Sequence, residues 1–195
     1  TYPQKRANSA LFEGQGYFGG AVGKSGESPP QPGGPFCATQ LPAMAGFKGQ
    51  AENTIDGKGR LPVPAKMRRE LTPDAKSTFV ATRGVEQCIL LYPLDEWEVI
   101  EERIREKNQF VTANRGFVRT LLRWADELTL DAQGRIALPK PLLKFAGLEP
   151  GQKVSVLGIM DRLEVWNTET LDAHEDDQEE SYESLAERVM GEDGI

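Results

Sequence analysis

Glu52-Asn-Thr-Ile-Asp-Gly-Lys-Gly-Arg-Leu-Pro-Val-Pro64 returns 75 residues later as Glu127-Leu-Thr-Leu-Asp-Ala-Gln-Gly-Arg-Ile-Ala-Leu-Pro139. Glu, Thr, Asp, Gly, Arg and Pro are identical between the copies. Ile55/Leu130, Leu61/Ile136 and Val63/Leu138 exchange one aliphatic residue for another. Downstream, Gly84 matches Gly158 and Leu91-Tyr92 matches Val165-Trp166. The core is therefore a tandem duplication of strand, turn, strand, short helix and two strands.

Outward from the first copy, residues 47–55 read as an extended strand. Asp56-Gly57-Lys58-Gly59 is turn chemistry, and residues 60–64 resume an extended chain. Residues 65–71 read as a short helix stopped by Thr72-Pro73. Strands are expected at 78–83 and 88–92. Leu94–Lys107 places Leu94, Trp97, Ile100 and Ile104 on one helical face, and Phe117–Trp124 reads as a second helix. The predicted organisation is a first half at 44–93, a helical linker at 94–123, a second half at 124–170 and an acidic tail at 171–195. That tail is helical or disordered. Residues 1–43 hold 8 Gly and 6 Pro, the composition of a disordered segment upstream of the protein proper. Met44 is the first Met and reads as the natural start.

Composition sets the limits on function. The chain has 195 residues, 23 Lys+Arg against 30 Asp+Glu, and a formal net charge of −7. As a total this argues against nucleic acid, whose phosphates need basic surface. Its distribution says otherwise. Residues 171–195 carry ten acidic side chains against Arg188 alone, whereas residues 44–170 carry 19 basic and 18 acidic ones. The acidity belongs to the tail. Two cysteines make no disulfide framework, and a single His makes no histidine-based metal site. No catalytic set and no cofactor site is expected. No apolar run approaches a membrane span. Gly14-Gln-Gly16-Tyr-Phe-Gly19 matches a dinucleotide fingerprint in letters only, because Gly20–Pro35 cannot form the helix it needs. His174 reads as solvated. Cys88, Trp97 and Trp166 read as core, and Trp124 as core or a subunit contact.

The repeated Asp-x-x-Gly-Arg carries the functional argument. Asp56 and Asp131 can accept hydrogen bonds from amides two residues on, and Gly59 and Gly134 suit a positive φ. Arg60 and Arg135 then leave each turn at a fixed place. Each arginine either salt-bridges its own aspartate or serves a ligand. Two copies at equivalent positions, related by a pseudo-two-fold axis, favour the ligand. Such a pair could approach successive bases or phosphates of duplex DNA.

These residues resemble the signatures of the MraZ family. Asp56-Gly-Lys-Gly-Arg60-Leu-Pro-Val-Pro64 with Arg68 is similar to the first motif. Asp131-Ala-Gln-Gly-Arg135-Ile-Ala-Leu-Pro139 with Phe145-Ala-Gly-Leu148 is similar to the second, and Val156-Leu-Gly158 and Leu163-Glu-Val-Trp166 resemble the closing strands. The resemblance runs from about Phe47 to about Leu171. It implies a mainly β fold with peripheral helices, a tandem pseudo-two-fold swapped-hairpin β-barrel of the AbrB/MraZ type. It also implies a ring-like homo-oligomer, cytoplasmic and nucleoid-associated. Such a protein binds double-stranded DNA at promoter direct repeats upstream of the bacterial division and cell-wall gene cluster, often as a repressor. Arg60 and Arg135 carry over as DNA contacts, with Lys58 and Arg68 as basic partners, whereas Gln133 departs from lysine. The alternative is an interaction or scaffold protein on the same barrel that binds no DNA.

Overall fold

The computed structural model describes residues 46–177 and 180–192. Met44, the Gly/Pro-rich residues 1–43, Cys37 and the glycine motif at 14–19 lie outside the described residues. The first half runs β1 (Phe47–Thr54), β2 (Arg60–Pro62), α1 (Ala65–Arg68), β3 (Thr78–Arg83) and β4 (Ile89–Pro93). Two helices follow, α2 (Leu94–Arg105) and α3 (Thr112–Trp124). The second half repeats the order as β5 (Asp126–Thr129), β6 (Arg135–Ala137), α4 (Lys140–Phe145), β7 (Lys153–Met160) and β8 (Arg162–Asn167). Helices α5 (Thr168–Asp176) and α6 (Tyr182–Glu192) end the described chain.

The fold is mixed α/β, with an antiparallel sheet and peripheral helices. The sheet has six strands in the order β1-β7-β8-β4-β3-β5, and β2 and β6 form a second, two-stranded ladder. The pairing is exchanged between the halves. β1 pairs along its whole length with β7 of the other half, and β5 pairs with β3. Neither half can satisfy its first strand's backbone groups alone, so the two fold as one unit.

Exchange of the halves maps this topology onto itself. In the β2–β6 ladder the central pair is Leu61↔Ile136, and in the β4–β8 ladder it is Leu90↔Glu164. Both central pairs join residues equivalent by the repeat, so a pseudo-two-fold axis passes through them. The connecting bonds obey it. The Val63 amide donates to the Gly134 carbonyl at 3.0 Å, and the Leu138 amide to the Gly59 carbonyl at 3.0 Å.

The core follows the repeat. Leu61 and Ile136, Met67 and Leu142, Phe79 and Val154, Ala81 and Val156, and Leu91 and Val165 are all buried as equivalent pairs. Full burial of one such large aliphatic side chain contributes about 1.5–3 kcal/mol. Trp97, Trp166 and Cys88 are buried, as their pattern predicts. Burial pushes the Cys88 thiol up to about 12, so it stays protonated. Trp124 is half-buried against Phe145, and the exposed His174 stacks on Trp166 with ring centroids 5.4 Å apart.

Two outer elements differ from the sequence expectation. Helix α3 begins at Thr112, five residues before Phe117. Arg115 extends it by donating to the carbonyls of Gln109 and Phe110, both at 2.9 Å, while Gly116 interrupts the apolar pattern there. Helix α5 is more than a solvated tail, because Leu171 is buried with Cys88 and Trp166.

Candidate nucleic-acid interface

Each turn is built by its aspartate. Asp56 Oδ1 accepts from the amides of Lys58 and Arg60, both at 2.9 Å, and Asp131 Oδ1 accepts from those of Gln133 and Arg135, both at 2.9 Å. The Gly59 amide donates to the Asp56 carbonyl at 2.9 Å, and the Gly134 amide to the Asp131 carbonyl at 2.8 Å. Gly59 and Gly134 lie at φ 77° and 73°, in the left-handed region that a Cβ disfavours.

The second carboxylate oxygen holds the arginine. Asp56 Oδ2 lies 2.6 Å from both Arg60 Nε and Arg60 Nη2, and Asp131 Oδ2 lies 2.9 Å from Arg135 Nε and 2.8 Å from Arg135 Nη2. The β2–β6 ladder brings the two turns side by side, so the pairs also meet across the axis. Arg60 Nη1 is 4.0 Å from Asp131 Oδ2, and Arg135 Nη1 is 3.8 Å from Asp56 Oδ2. The result is one four-membered cluster of charge. The arginines fold back on their own aspartates instead of standing free of the turn. Their side chains still expose 30% and 24% of their surface.

The arginine hydrogen bonds, first from the side chain and then from the amide, hold the Asp56 carboxyl down at about 2. Asp131 is lowered by the same two bonds from Arg135. Both stay ionised through the neutral range.

Two further cations flank the cluster. Lys58 is exposed at the apex of the first turn. Arg68 reaches from α1 to the opposite turn, where its guanidinium lies against Gly134. A Cβ built there would fall 2.6 Å from Arg68 Cζ and 2.9 Å from its Nε. Among the described residues neither cation is held in an ion pair. The structure thus gathers the sequence-predicted Asp56, Gly59, Arg60, Asp131, Gly134 and Arg135 with Lys58 and Arg68. Sequence reasoning missed the cross-pairing and the Arg68–Gly134 contact. The exchanged ladder that creates both leaves no local signal.

It also missed a cleft of about 660 Å³ between the sheet and the linker helices. Tyr92, Trp97, Ile100, Ile104, Phe117 and Leu121 line it. Helix α3 buries none of its side chains, and Phe117 is 61% exposed. The only signal in the sequence was apolar spacing on α2 and α3. No group of three potential metal ligands and no helix long and apolar enough to cross a membrane occurs among the described residues.

Comparison with known proteins finds the duplication as well. The model of the antitoxin-like MraZ protein family matches twice in tandem, at residues 47–120 and 121–193. The transcriptional regulator MraZ of Natranaerobius thermophilus is 40% identical over 144 residues, 74% of this chain and 96% of that protein. The transcriptional regulator MraZ of Syntrophomonas wolfei subsp. wolfei is 40% identical over 145 residues, again 74% of this chain and 96% of that protein. Two tandem matches spanning the duplicated core, together with these relatives, establish that the chain belongs to the MraZ family.

Proposed function

We propose that this protein is a sequence-specific DNA-binding transcription regulator, and that its paired Asp-x-x-Gly-Arg turns are the reading head. The observation that carries this is the side-by-side placement of Arg60 and Arg135 on the pseudo-two-fold axis. Each aspartate grips the Nε–Nη2 edge, Nη1 faces the other turn's aspartate across the axis, and each arginine side chain keeps part of its surface exposed. A guanidinium fixed this way loses little side-chain entropy on docking. Arginine then matches the O6 and N7 acceptors of guanine in the major groove. Lys58 and Arg68 supply phosphate contacts, which position the protein without carrying sequence information.

The near-neutral core cannot bind DNA tightly through bulk charge, so several subunits must engage at once. Linked sites gain roughly 10²–10⁴-fold in avidity. The cleft beside α3 and that helix's uncovered apolar residues support a homo-oligomer, which we read as a ring. We read the two ladders as the walls of a swapped-hairpin barrel. The DNA partner is a set of direct repeats in the promoter of the bacterial division and cell-wall gene cluster. Repression is the expected outcome, in the cytoplasm at the nucleoid.

A second reading, a scaffold protein that binds no DNA, draws on the charge balance of the cluster. In that reading the aspartates already satisfy the arginines. Gel-shift assays separate the two. Arg60→Ala should abolish specific binding while leaving circular dichroism and oligomer size unchanged; unchanged binding would reject the assignment of Arg60.

A further inference from the structure

The two turns are equivalent in backbone and unequal in charge. The first carries Lys58 at the position where the second carries the neutral Gln133. The first also has Leu143 beside its glycine, since a Cβ built on Gly59 would sit 3.4 Å from Leu143 Cδ1. By the repeat, the residue equivalent to Leu143 is Arg68. The position that buries a leucine against the first turn thus lays an exposed guanidinium against the second.

We infer that Arg68 belongs to the second turn, supplying in trans from the first half the phosphate contact that Gln133 lacks. This rests on the DNA-binding reading above. Three facts converge on it. The guanidinium occupies space that only a glycine leaves open, next in the chain to Arg135. No carboxylate among the described residues pairs with it, unlike Arg60 and Arg135. The second turn has no cation of its own besides Arg135. A cation held against a turn amid hydrogen-bonded arginines is suited to an anion approaching from outside, and a duplex that bridges both turns presents phosphates there.

The test uses the full chain and a duplex isolated by binding-site selection from a randomised pool. Arg68→Leu installs the residue the repeat itself carries at the equivalent place, so folding should survive; Arg68→Lys keeps the charge. Loss of one phosphate contact lowers affinity about fivefold per protomer near 0.15 M salt and cuts the salt slope by about 0.9. Arg68→Leu should show both changes, and hydroxyl-radical footprinting should lose protection on the second-turn side only. Lys58→Gln should lose it on the first-turn side. Adding Gln133→Lys to Arg68→Leu should restore affinity and footprint, which a merely structural role would not allow. An unchanged slope in Arg68→Leu, or a loss that Gln133→Lys does not repair, overturns the inference and leaves the wider reading standing. A wild-type protein that selects no duplex overturns both.

Discussion

The turn at Asp56–Arg60 and the turn at Asp131–Arg135 share their hydrogen bonds to within 0.1 Å, apart from the tighter arginine grip in the first. They differ in what surrounds them. The first has its own Lys58 and an apolar neighbour in Leu143; the second has Gln133 and borrows Arg68. The duplication keeps the frame and lets the charge move. What holds a turn in shape lies within five residues. The first turn carries its extra cation itself, whereas the second takes one from the other half.

The comparison breaks most readily at the axis. Leu61 and Ile136 face each other there, and both are fully buried. Leu61→Ala and Ile136→Ala should each cost about 2–5 kcal/mol in urea unfolding. The two values should lie close together. A large gap would mean that the halves do not share load as the symmetric pairing requires.

The glycines sharpen it further. Gly59→Ala and Gly134→Ala each force a Cβ into the left-handed region and should cost about 1–2 kcal/mol of stability. Only Gly134→Ala also meets a guanidinium, the far end of the Arg68 side chain, which must give up its place against the turn. Stability losses should therefore match, while the DNA affinity of Gly134→Ala falls below that of Gly59→Ala. Anisotropy titrations beside the denaturation curves check this.

The smallest effect is in acid. Asp56 has a folded-state value of about 2 against an ordinary 3.8, so its stabilising contribution is complete above the ordinary value and lost as pH falls towards 2. Asp131 works in the same direction. Between these limits the stability read from unfolding curves should rise less steeply with pH in Asp56→Asn than in wild type, with no difference in pH dependence near neutrality.

The part of this fold legible in the sequence is the part encoded locally. Alternating aliphatics around Asp-x-x-Gly-Arg mark strand, turn and strand, and Trp97 and Trp166 lie in the core where their spacing puts them. The exchange of β1 and β5 between halves was not legible from spacing. A repeat says that two strands are alike, not which partner each takes. The Arg68–Gly134 contact spans 66 residues and falls where the repeat is broken by Leu143, so it leaves no internal match. The early start of α3 was hidden by Gly116 and its polar neighbours. Of the two readings the sequence leaves open for Arg60, the geometry shows the pairing with Asp56, and the ligand role is the one proposed above. The carboxylate holds the guanidinium in place while part of the side chain stays exposed.

The central claim is that the two turns read DNA as one head. Footprinting on the organism's own division-cluster promoter, with wild type, Arg60→Ala and Arg135→Ala at equal protein concentration, tests it most directly. The account predicts two adjacent protected segments in wild type, with a different segment lost in each variant. Full protection retained by both variants would contradict it.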